Sequence, residues 1–369
     1  MASAPLFSPS FGNRPSYLVG RSQVIRTFID GLGREPGNRD RATVVLGQRG
    51  SGKTVLLWEL ADRAAELGFV VATPTTTSEN MLERIIEKLQ GAGESFIDEP
   101  ETRLTGGTIG AFGFSAGLQF SREVQETKSF QFKLTQLARK LNAGGHGVLI
   151  LVDELQANSP EIRQLVTAYQ EMVGERIDIA LVLAGLPGAV SATLNDHVLT
   201  FLNRARKLQL SPLEISDIDS FYQRAFSELE IDVPPELRLY AARATEGSPY
   251  LLQLIGYNIE QRAHRDRPVG KAVVDGAIAA AKVDFENDVC RTTLAALSPR
   301  DIDFLFAMSE DDGFSLMGDI ARRLGVTSDY AQKYRRRLID AGVIEPAGRG
   351  MVAFAVPYLS AFLKQERAG

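Results

Sequence analysis

Short apolar runs alternate with amphipathic stretches over roughly the first half of the chain. Runs rich in β-branched and aliphatic residues occur at 42–46, 69–73, 148–152, 179–185 and 207–210. Between them, apolar positions recur every three or four residues, which is the period of a helix. Strands that are apolar at nearly every position are typical of a parallel sheet covered on both faces. The pattern predicts an α/β fold with a five-stranded parallel sheet.

The pattern changes after residue 210. Helical periodicity continues without strand signals to residue 290, for example in "SDIDSFYQRAFSEL" and "GSPYLLQLIGYNIEQRA". A further unit begins at "LSPRDIDFLFAM", where Ser298 is predicted to cap a helix and Pro299 to occupy its first turn. We therefore predict three domains, at 1–210, 211–290 and 291–369. A Gly-rich stretch at 104–120 interrupts the first domain and has the alternation of a β-hairpin.

Composition narrows the class of protein. The chain has 369 residues, 44% hydrophobic and 24% charged, with a formal net charge of −5, which is typical of a globular protein of more than one domain. Cys290 has no second cysteine to pair with in this sequence, and the three histidines lack the spacing of metal ligands. No apolar run approaches the roughly 20 residues of a membrane-spanning helix. We expect a cytoplasmic protein that does not enter a membrane.

The sequence "GQRGSGKT" follows the first predicted strand and precedes a helical pattern, which is the context expected of a phosphate-binding loop. Glycines let backbone N–H groups turn towards phosphates, and the helix N-terminus adds partial positive charge. Lys53 would reach the β- and γ-phosphates of ATP, and Thr54 would hold Mg²⁺. The residues predicted to bind the nucleotide here are Gly47, Gln48, Arg49, Gly50, Ser51, Gly52, Lys53 and Thr54.

Two carboxylates follow the buried run "VLILV". The carboxyl end of a parallel strand is where α/β sheets bind ligands. Asp153 is predicted to order Mg²⁺, and Glu154 to polarise the attacking water as a general base. A helix-capping role for this pair is the structural alternative.

These two motifs resemble those of P-loop ATPases of the AAA+ and STAND group, and "YLVGRSQVIRTFIDGL" is similar to the box that precedes the P-loop in these proteins. The resemblance implies that Val19, Gly20 and Arg21 lie near the adenine. It also implies that the 179–185 strand sits between the P-loop strand and the Asp153 strand, with the helices after residue 210 as a lid. In the lid, "GSP" resembles the G-x-P motif of STAND and origin-recognition-like ATPases, which places Pro249 near the nucleotide.

The chain also departs from that group. Where AAA+ proteins carry a polar sensor, "LAGLPG" at 183–188 offers no polar side chain. Arg204 and Arg206 are candidates to contact a γ-phosphate, either in their own chain or in a neighbouring subunit of a homo-oligomer. The alternative is that both are solvated arginines of a loop.

The last domain has the pattern of a helix-turn-helix followed by a hairpin. A helix at 317–324 ends at Gly325, Thr327 or Ser328 caps a second helix, and "GVIEPA" and "MVAFAV" are joined by "GRG". The segment resembles the winged-helix domains of DNA-binding proteins, whose second helix enters the major groove of duplex DNA. The residues predicted to contact DNA are Ser328, Asp329, Gln332, Lys333, Arg336, Arg337 and Arg349.

Two functions fit this order of domains. The first is an ATP-dependent DNA-binding protein that couples its nucleotide state to the winged helix. The second is a STAND-like signalling or scaffolding switch whose winged helix binds protein, which the missing sensor and the G-x-P motif favour. A metabolic kinase is disfavoured because the sequence carries no acceptor-binding signature.

Overall fold

The computed structural model describes residues 5–10, 14–15, 17–73, 80–93, 129–156, 159–196, 199–264 and 266–368. The hairpin predicted at 104–120 lies outside these ranges. Five strands form the central sheet, and their bounds are β1 (Ala42–Leu46), β2 (Val70–Ala72), β3 (Val148–Leu155), β4 (Ile179–Gly185) and β5 (Arg206–Gln209). All neighbouring strands are parallel, in the order β2-β3-β4-β1-β5. The predicted α/β fold and the place of the 179–185 strand are confirmed.

Alternation along the strands builds a separate core on each face of the sheet. Val44 of β1 packs on one face and Val45 on the other, and β3 alternates in the same way. Helices α1 (Ser22–Leu32) and α2 (Lys53–Glu66) contribute to one of these cores. The other face is covered by α3 (Met81–Gly93), α4 (Phe130–Ala143) and α5 (Pro160–Gly174). The helix α6 (Pro187–Leu194) follows β4 directly.

Strand β3 is longer than its apolar run predicts. It continues through the two carboxylates to Leu155, and its pairing with β4 shifts register between Val152 and Leu155. This irregularity is a β-bulge, which re-aims the side chains next to it. The two carboxylates therefore lie within the strand and not after it.

Between residues 211 and 290 the described chain is helical, as predicted. The four helices are α7 (Ile215–Glu228), α8 (Pro235–Arg243), α9 (Pro249–Arg262) and α10 (Lys271–Phe285). A π-helical turn at Glu286–Arg291 continues α10 into the short helix α11 (Thr292–Ala295). The predicted domain boundary at residue 290 falls inside this helical run. The division into domains stays a prediction, since the two parts are joined here by continuous helix.

The C-terminal module, residues 299–368, contains the predicted helix-turn-helix. Its helices are α12 (Pro299–Ser309), α13 (Met317–Leu324), α14 (Ser328–Asp340) and α15 (Leu359–Ala368). Strands β7 (Ile344–Gly348) and β8 (Met351–Phe354) form the hairpin, and β6 (Phe314–Leu316), which the sequence pattern did not reveal, pairs with β8. The antiparallel order is β6-β8-β7. Ser298 caps α12 in a capping box with Asp301, and Thr327 caps α14.

One hydrophobic core runs through the helices of 211–290 and the C-terminal module. It joins Phe221 and Ile255 to Phe304 and Leu338, so the two parts are packed as one body. Phe7 belongs to the same core: its ring lies 5.7 Å from that of Phe221, centroid to centroid. The N-terminal segment 5–10 therefore packs with the helices that follow the sheet. Among the described helices, none is long and apolar enough to cross a membrane.

Candidate nucleotide site

The loop between β1 and α2 has the conformation that its glycines permit. Gly50 and Gly52 have φ angles of 74° and 84°, in the left-handed region that side chains other than glycine disfavour. Gly52 is the N-cap of α2, and Lys53 is the first residue of the helix. The backbone N–H groups at this helix end face the carboxyl edge of the sheet, so the loop offers donors and positive dipole to an anion.

Lys53 is held against its own loop. Its Nζ donates hydrogen bonds to the carbonyl oxygens of Gly47 (2.8 Å) and Gln48 (2.7 Å). Burial lowers the pKa of Lys53 to about 8. The negative charge of Asp153 compensates only part of this effect, and the positive charge of Arg49 lowers the pKa further. A phosphate group would stabilise the charged form of this amine.

A direct hydrogen bond links the P-loop to the end of β3. Thr54 Oγ1 donates to Asp153 Oδ2 at 2.6 Å, and the backbone N–H of Glu154 donates to Asp153 Oδ1 at 2.8 Å. A hydroxyl beside a carboxylate is the hard oxygen pair that Mg²⁺ prefers. Ser51 Oγ is buried in the same loop, with no hydrogen-bond partner among the described residues. Mg²⁺ and a nucleotide phosphate therefore fit the groups present, and the described side chains form no separate group of three or more metal ligands.

Glu154 sits in a strained backbone conformation at the bulge. Its φ angle is 55°, which costs a residue other than glycine about 1–3 kcal/mol. Its side chain is exposed, whereas the other residues of β3 are buried. The bulge thus turns this carboxylate out of the core at the edge where the P-loop lies.

Residues at the start of α9 lie against the P-loop. A Cβ added at Gly52 would lie 3.7 Å from Pro249 Cγ, and one at Gly50 would lie 3.8 Å from Tyr250 Cβ. The structure therefore brings Pro249 to the P-loop. Tyr250 was missed by the sequence reasoning, although it adjoins the G-x-P motif; its hydroxyl donates to Asp288 of the π-helical turn at 2.6 Å.

The segment predicted to lie near the adenine is fixed to the start of the helices that follow the sheet. Arg21 is buried, and its Nη2 donates to the carbonyl of Ser211 at 2.7 Å. A Cβ at Gly20 would lie 3.1 Å from Asp217 Oδ2. Val19 packs against the hydrophobic core of the helices that follow the sheet. The three residues lie where the chain leaves the sheet, and their contact with a base stays a prediction.

Arg206 does not face the P-loop of its own chain. It pairs with Thr43 at the start of β1, whereas the P-loop follows the end of that strand, roughly 10 Å away at about 3.3 Å per residue. Its side chain forms an ion pair with buried Asp40. The ion pair with Asp40 directs Arg206 away from the P-loop of its own chain, and its contact with a γ-phosphate stays a prediction. Arg204 is exposed near the same edge of the sheet, and contact with a neighbouring subunit stays a prediction.

The second helix of the helix-turn-helix has the two faces predicted for it. Ala331, Tyr334 and Leu338 are buried. The exposed residues include Ser328, Asp329, Gln332, Lys333, Arg336, Arg337 and, on the hairpin, Arg349.

Arg337 differs from the other basic residues of this face. Its Nη2 donates to Asp301 Oδ2 at 2.8 Å, and its guanidinium lies over the ring of Tyr334. Asp301 is buried and belongs to the capping box of α12. Arg337 therefore already serves a buried carboxylate, which the sequence reasoning did not foresee because Asp301 is distant along the chain.

Two family models match this chain. Residues 17–183 match the AAA ATPase domain, and residues 287–363 match a domain of unknown function, DUF8462. The first match covers the P-loop, both carboxylates of β3 and the segment before α1. Residues 17–183 are an AAA+ P-loop ATPase domain. The match to the second model overlaps the helix-turn-helix and the three-stranded sheet without assigning them a role.

Solved structures agree with this assignment of the ATPase domain. The Walker-type ATPase PABY2304 of Pyrococcus abyssi superposes with a TM-score of 0.68 at 17% identity, over 97% of this chain and 99% of that one. The Aeropyrum pernix ORC2 protein, in ADPNP and ADP complexes, gives 0.63 at 15% identity, over 98% of each chain. At these identities the likeness shows the fold alone. Comparison with curated protein sequences gave no significant match.

Proposed function

We propose that this protein binds Mg²⁺ and ATP at the P-loop and couples its nucleotide state to the binding of duplex DNA through a C-terminal winged helix. The observation that carries the proposal is the Thr54–Asp153 hydrogen bond of 2.6 Å, because it joins both nucleotide motifs at one edge of the sheet. The ADPNP and ADP complexes of the A. pernix ORC2 protein, which shares this fold, support nucleotide binding.

In this proposal each polar group at the edge of the sheet has a separate task. Mg²⁺, when bound, would neutralise charge on the phosphates. Thr54 and Asp153 would hold the ion, and Lys53 would exchange its loop carbonyls for phosphate oxygens. Glu154 would take a proton from the attacking water, since its exposed carboxylate stands beside the Asp153 pair.

The DNA half of the proposal rests on the shape and charge of the C-terminal module. Helix α14 follows a short turn after α13, as the second helix of a helix-turn-helix does, and β7 and β8 form a hairpin with Arg349 at its tip. Lys333, Arg336 and Arg349 are exposed. These side chains would contact phosphates, and Ser328, Asp329 and Gln332 would face base edges.

The experiment compares DNA affinity with and without ATP in the full-length protein. Fluorescence anisotropy with labelled random duplex DNA would be measured for the wild type, Lys53→Ala and Glu154→Gln. We expect ATP to change the affinity of the wild type and of Glu154→Gln, which retains the nucleotide, and to have no effect on Lys53→Ala, which does not bind it. Equal DNA affinity with and without ATP in both the wild type and Glu154→Gln would contradict the coupling.

A second candidate function is a protein-binding switch, and one observation favours it. Phe314 and Leu316 lie on one face of β6 and are 55% and 48% exposed. Exposed large apolar side chains side by side are more typical of a protein contact than of a DNA contact. Replacing both by serine should leave DNA binding unchanged under the first proposal. Loss of DNA binding on charge reversal at Lys333 and Arg336 would show that protein binding is not the sole function of the C-terminal module.

A further inference from the structure

The end of α14 packs against the start of α6 with no space between the backbones. A Cβ added at Gly188 would lie 2.6 Å from both the Cβ and the carbonyl oxygen of Asp340. Only glycine fits at that distance, because no L-amino acid tolerates a Cβ contact under 3.0 Å with backbone. The helix-turn-helix is thus docked on the segment where AAA+ proteins would carry a polar sensor.

The turn that follows α14 reaches the P-loop itself. A Cβ added at Gly342 would lie 3.4 Å from Gln48 Cγ and 3.5 Å from Pro187 Cδ. Beside this contact is a cavity of about 80 Å³, and Arg49, Leu186 and Thr293 are among the residues that line it together with Gly342. Two successive P-loop residues, Gln48 and Arg49, therefore border the C-terminal module.

We propose that the turn Ala341–Val343 is a positioning element of the nucleotide site, which holds the P-loop ready for phosphate when the C-terminal module is docked on Gly188. The proposal rests on the proposed nucleotide site and adds to it a part of the chain that lies almost 300 residues later in the sequence. The apolar segment Leu186–Gly188 then has a use of its own, as the seat of α14.

Preorganisation of the P-loop predicts how docking of the C-terminal module changes ATP affinity. A loop already held in its binding conformation loses less conformational entropy when a ligand arrives, so docking strengthens ATP binding. Linkage requires the reverse as well, so ATP strengthens docking by the same factor. A module that leaves its seat would loosen Gln48 and Arg49 and weaken the site without removing any phosphate ligand.

Gly188→Ala tests this with one methyl group. Alanine is a better helix former than glycine, so the change does not disfavour α6 itself. The new Cβ would, however, meet the backbone of Asp340, and no change of the Asp340 side chain relieves a contact with backbone. Gly276→Ala is the matched control, because a Cβ at that exposed position of α10 meets nothing within 4 Å. The dissociation constant for ATP would be measured by titration calorimetry on the full-length proteins, together with thermal unfolding.

We expect the ATP dissociation constant to rise about tenfold in Gly188→Ala and to stay within twofold of wild type in Gly276→Ala. Hydrogen exchange of amides 341–343 should quicken in Gly188→Ala, and added ATP should slow it in the wild type. Gln48→Ala, which removes the side chain facing Gly342 and keeps the loop backbone, should weaken ATP binding in the same direction, and it covers the case of a poorly folded Gly188→Ala.

Unchanged or tighter ATP binding in folded Gly188→Ala and in Gln48→Ala would overturn the positioning role. Absence of ATP binding in the wild type would instead overturn the proposed function, so the two failures are distinguishable.

Discussion

The P-loop edge of the sheet and the exposed face of α14 are built in opposite ways. At the P-loop, residues from β3, α9 and the turn after α14 all lie within contact distance of one loop. On α14, Lys333 and Arg336 are exposed side chains on a helix whose other face is buried. The first site is made of long-range contacts, and the second is a local pattern on a supported helix.

The difference predicts how substitutions act at each place. A change at the P-loop edge alters groups that share partners, so its effects on hydrolysis, affinity and stability are coupled and non-additive. A change on the exposed face of α14 removes one charge from solvent, so its effect is additive and depends on salt. Substitutions at the two places test this contrast.

Glu154→Gln has the largest expected effect. The amide cannot accept a proton from water, so ATP turnover should fall by about 10²- to 10⁴-fold while ATP affinity stays within about twofold. Steady-state hydrolysis and nucleotide titration measure the two quantities. Glu154→Gly should lose turnover equally and also gain about 1 kcal/mol in free energy of unfolding, because it relieves the left-handed strain of a φ angle of 55°.

Hydrolysis of ATP by Glu154→Gln at the wild-type rate would contradict the role of Glu154, since another group would then accept the proton from water. The contrast also fails if Glu154→Gly is less stable than wild type, since the bulge would then hold its shape by side-chain contacts and not against strain. Denaturant titration of the same preparations gives the second result.

The titration of Lys53 predicts how ATP affinity depends on pH. Its pKa in the folded protein is about 8, below the ordinary value of 10.5, because burial disfavours the ammonium form. Phosphate restores the charge, so ATP binding above pH 8 must take up a proton. The ATP dissociation constant should be flat below pH 8 and rise about tenfold per pH unit above it, until the pKa of the complex is reached.

Calorimetry in buffers of different ionisation enthalpy measures this proton uptake directly. Lys53→Arg is the control, because its guanidinium stays protonated across the range and any affinity it retains should not follow the same curve. A wild-type affinity that is independent of pH from about 7 to about 10 would show that the amine already carries its charge in the free protein.

The sequence predicts what is local. The strand, Gly-rich loop and helix around Lys53 follow each other directly in the chain, and so do α13, its turn and α14. The sequence predicts each of these elements because helical and strand periodicity and capping residues are patterns of neighbouring positions. The place of β4 between β1 and β3 came instead from the resemblance to AAA+ proteins, and the structure confirms it.

What the sequence could not predict depends on residues far apart in the chain. Three such contacts carry no local signal: that of Gly188 with Asp340, the ion pair of Arg206 with Asp40, and the burial of Phe7 among the helices that follow the sheet. Strand β6 was missed because three residues are too few to show an alternation. Arginine is equally at home on a solvated face and beside a carboxylate, so Arg336 and Arg337 looked alike.

Charge reversal on the exposed face of α14 has a smaller and simpler expected effect. Lys333→Glu combined with Arg336→Glu should weaken binding to random duplex DNA by at least about tenfold near 0.1 M salt. The slope of log affinity against log salt should become shallower by about 2, roughly one for each phosphate that the variant no longer neutralises. ATP affinity should not change, because neither residue borders the P-loop.

The control for net charge is Arg63→Glu combined with Lys271→Glu, two exposed positions on α2 and α10. This pair changes the total charge by the same amount and should leave the salt slope unchanged. If both double variants lose DNA affinity alike, the binding is a response to overall charge and α14 has no special role.

Arg337→Ala should affect stability and not DNA binding, and it is the smallest effect. Asp301 is buried, and without Arg337 its carboxylate keeps only the Ser298 hydrogen bonds at 2.6 and 3.2 Å. Because the Arg337 side chain is 49% exposed, solvent screens the pair, and we expect a loss of about 1 kcal/mol in free energy of unfolding. Arg336→Ala should leave stability within about 0.5 kcal/mol and flatten the salt dependence of DNA binding.

The two alanine variants differ by one position on the same helix, so propensity and net charge cancel between them. A double variant with Asp301→Asn should lose less from Arg337→Ala than the wild type does, because the buried charge that Arg337 serves is then absent. A salt slope that becomes shallower by about one in Arg337→Ala, as in Arg336→Ala, would mean that Arg337 leaves Asp301 for a phosphate when DNA binds. The exposed face of α14 would then be coupled to the core of its own module, and it would no longer differ from the P-loop edge in the way described.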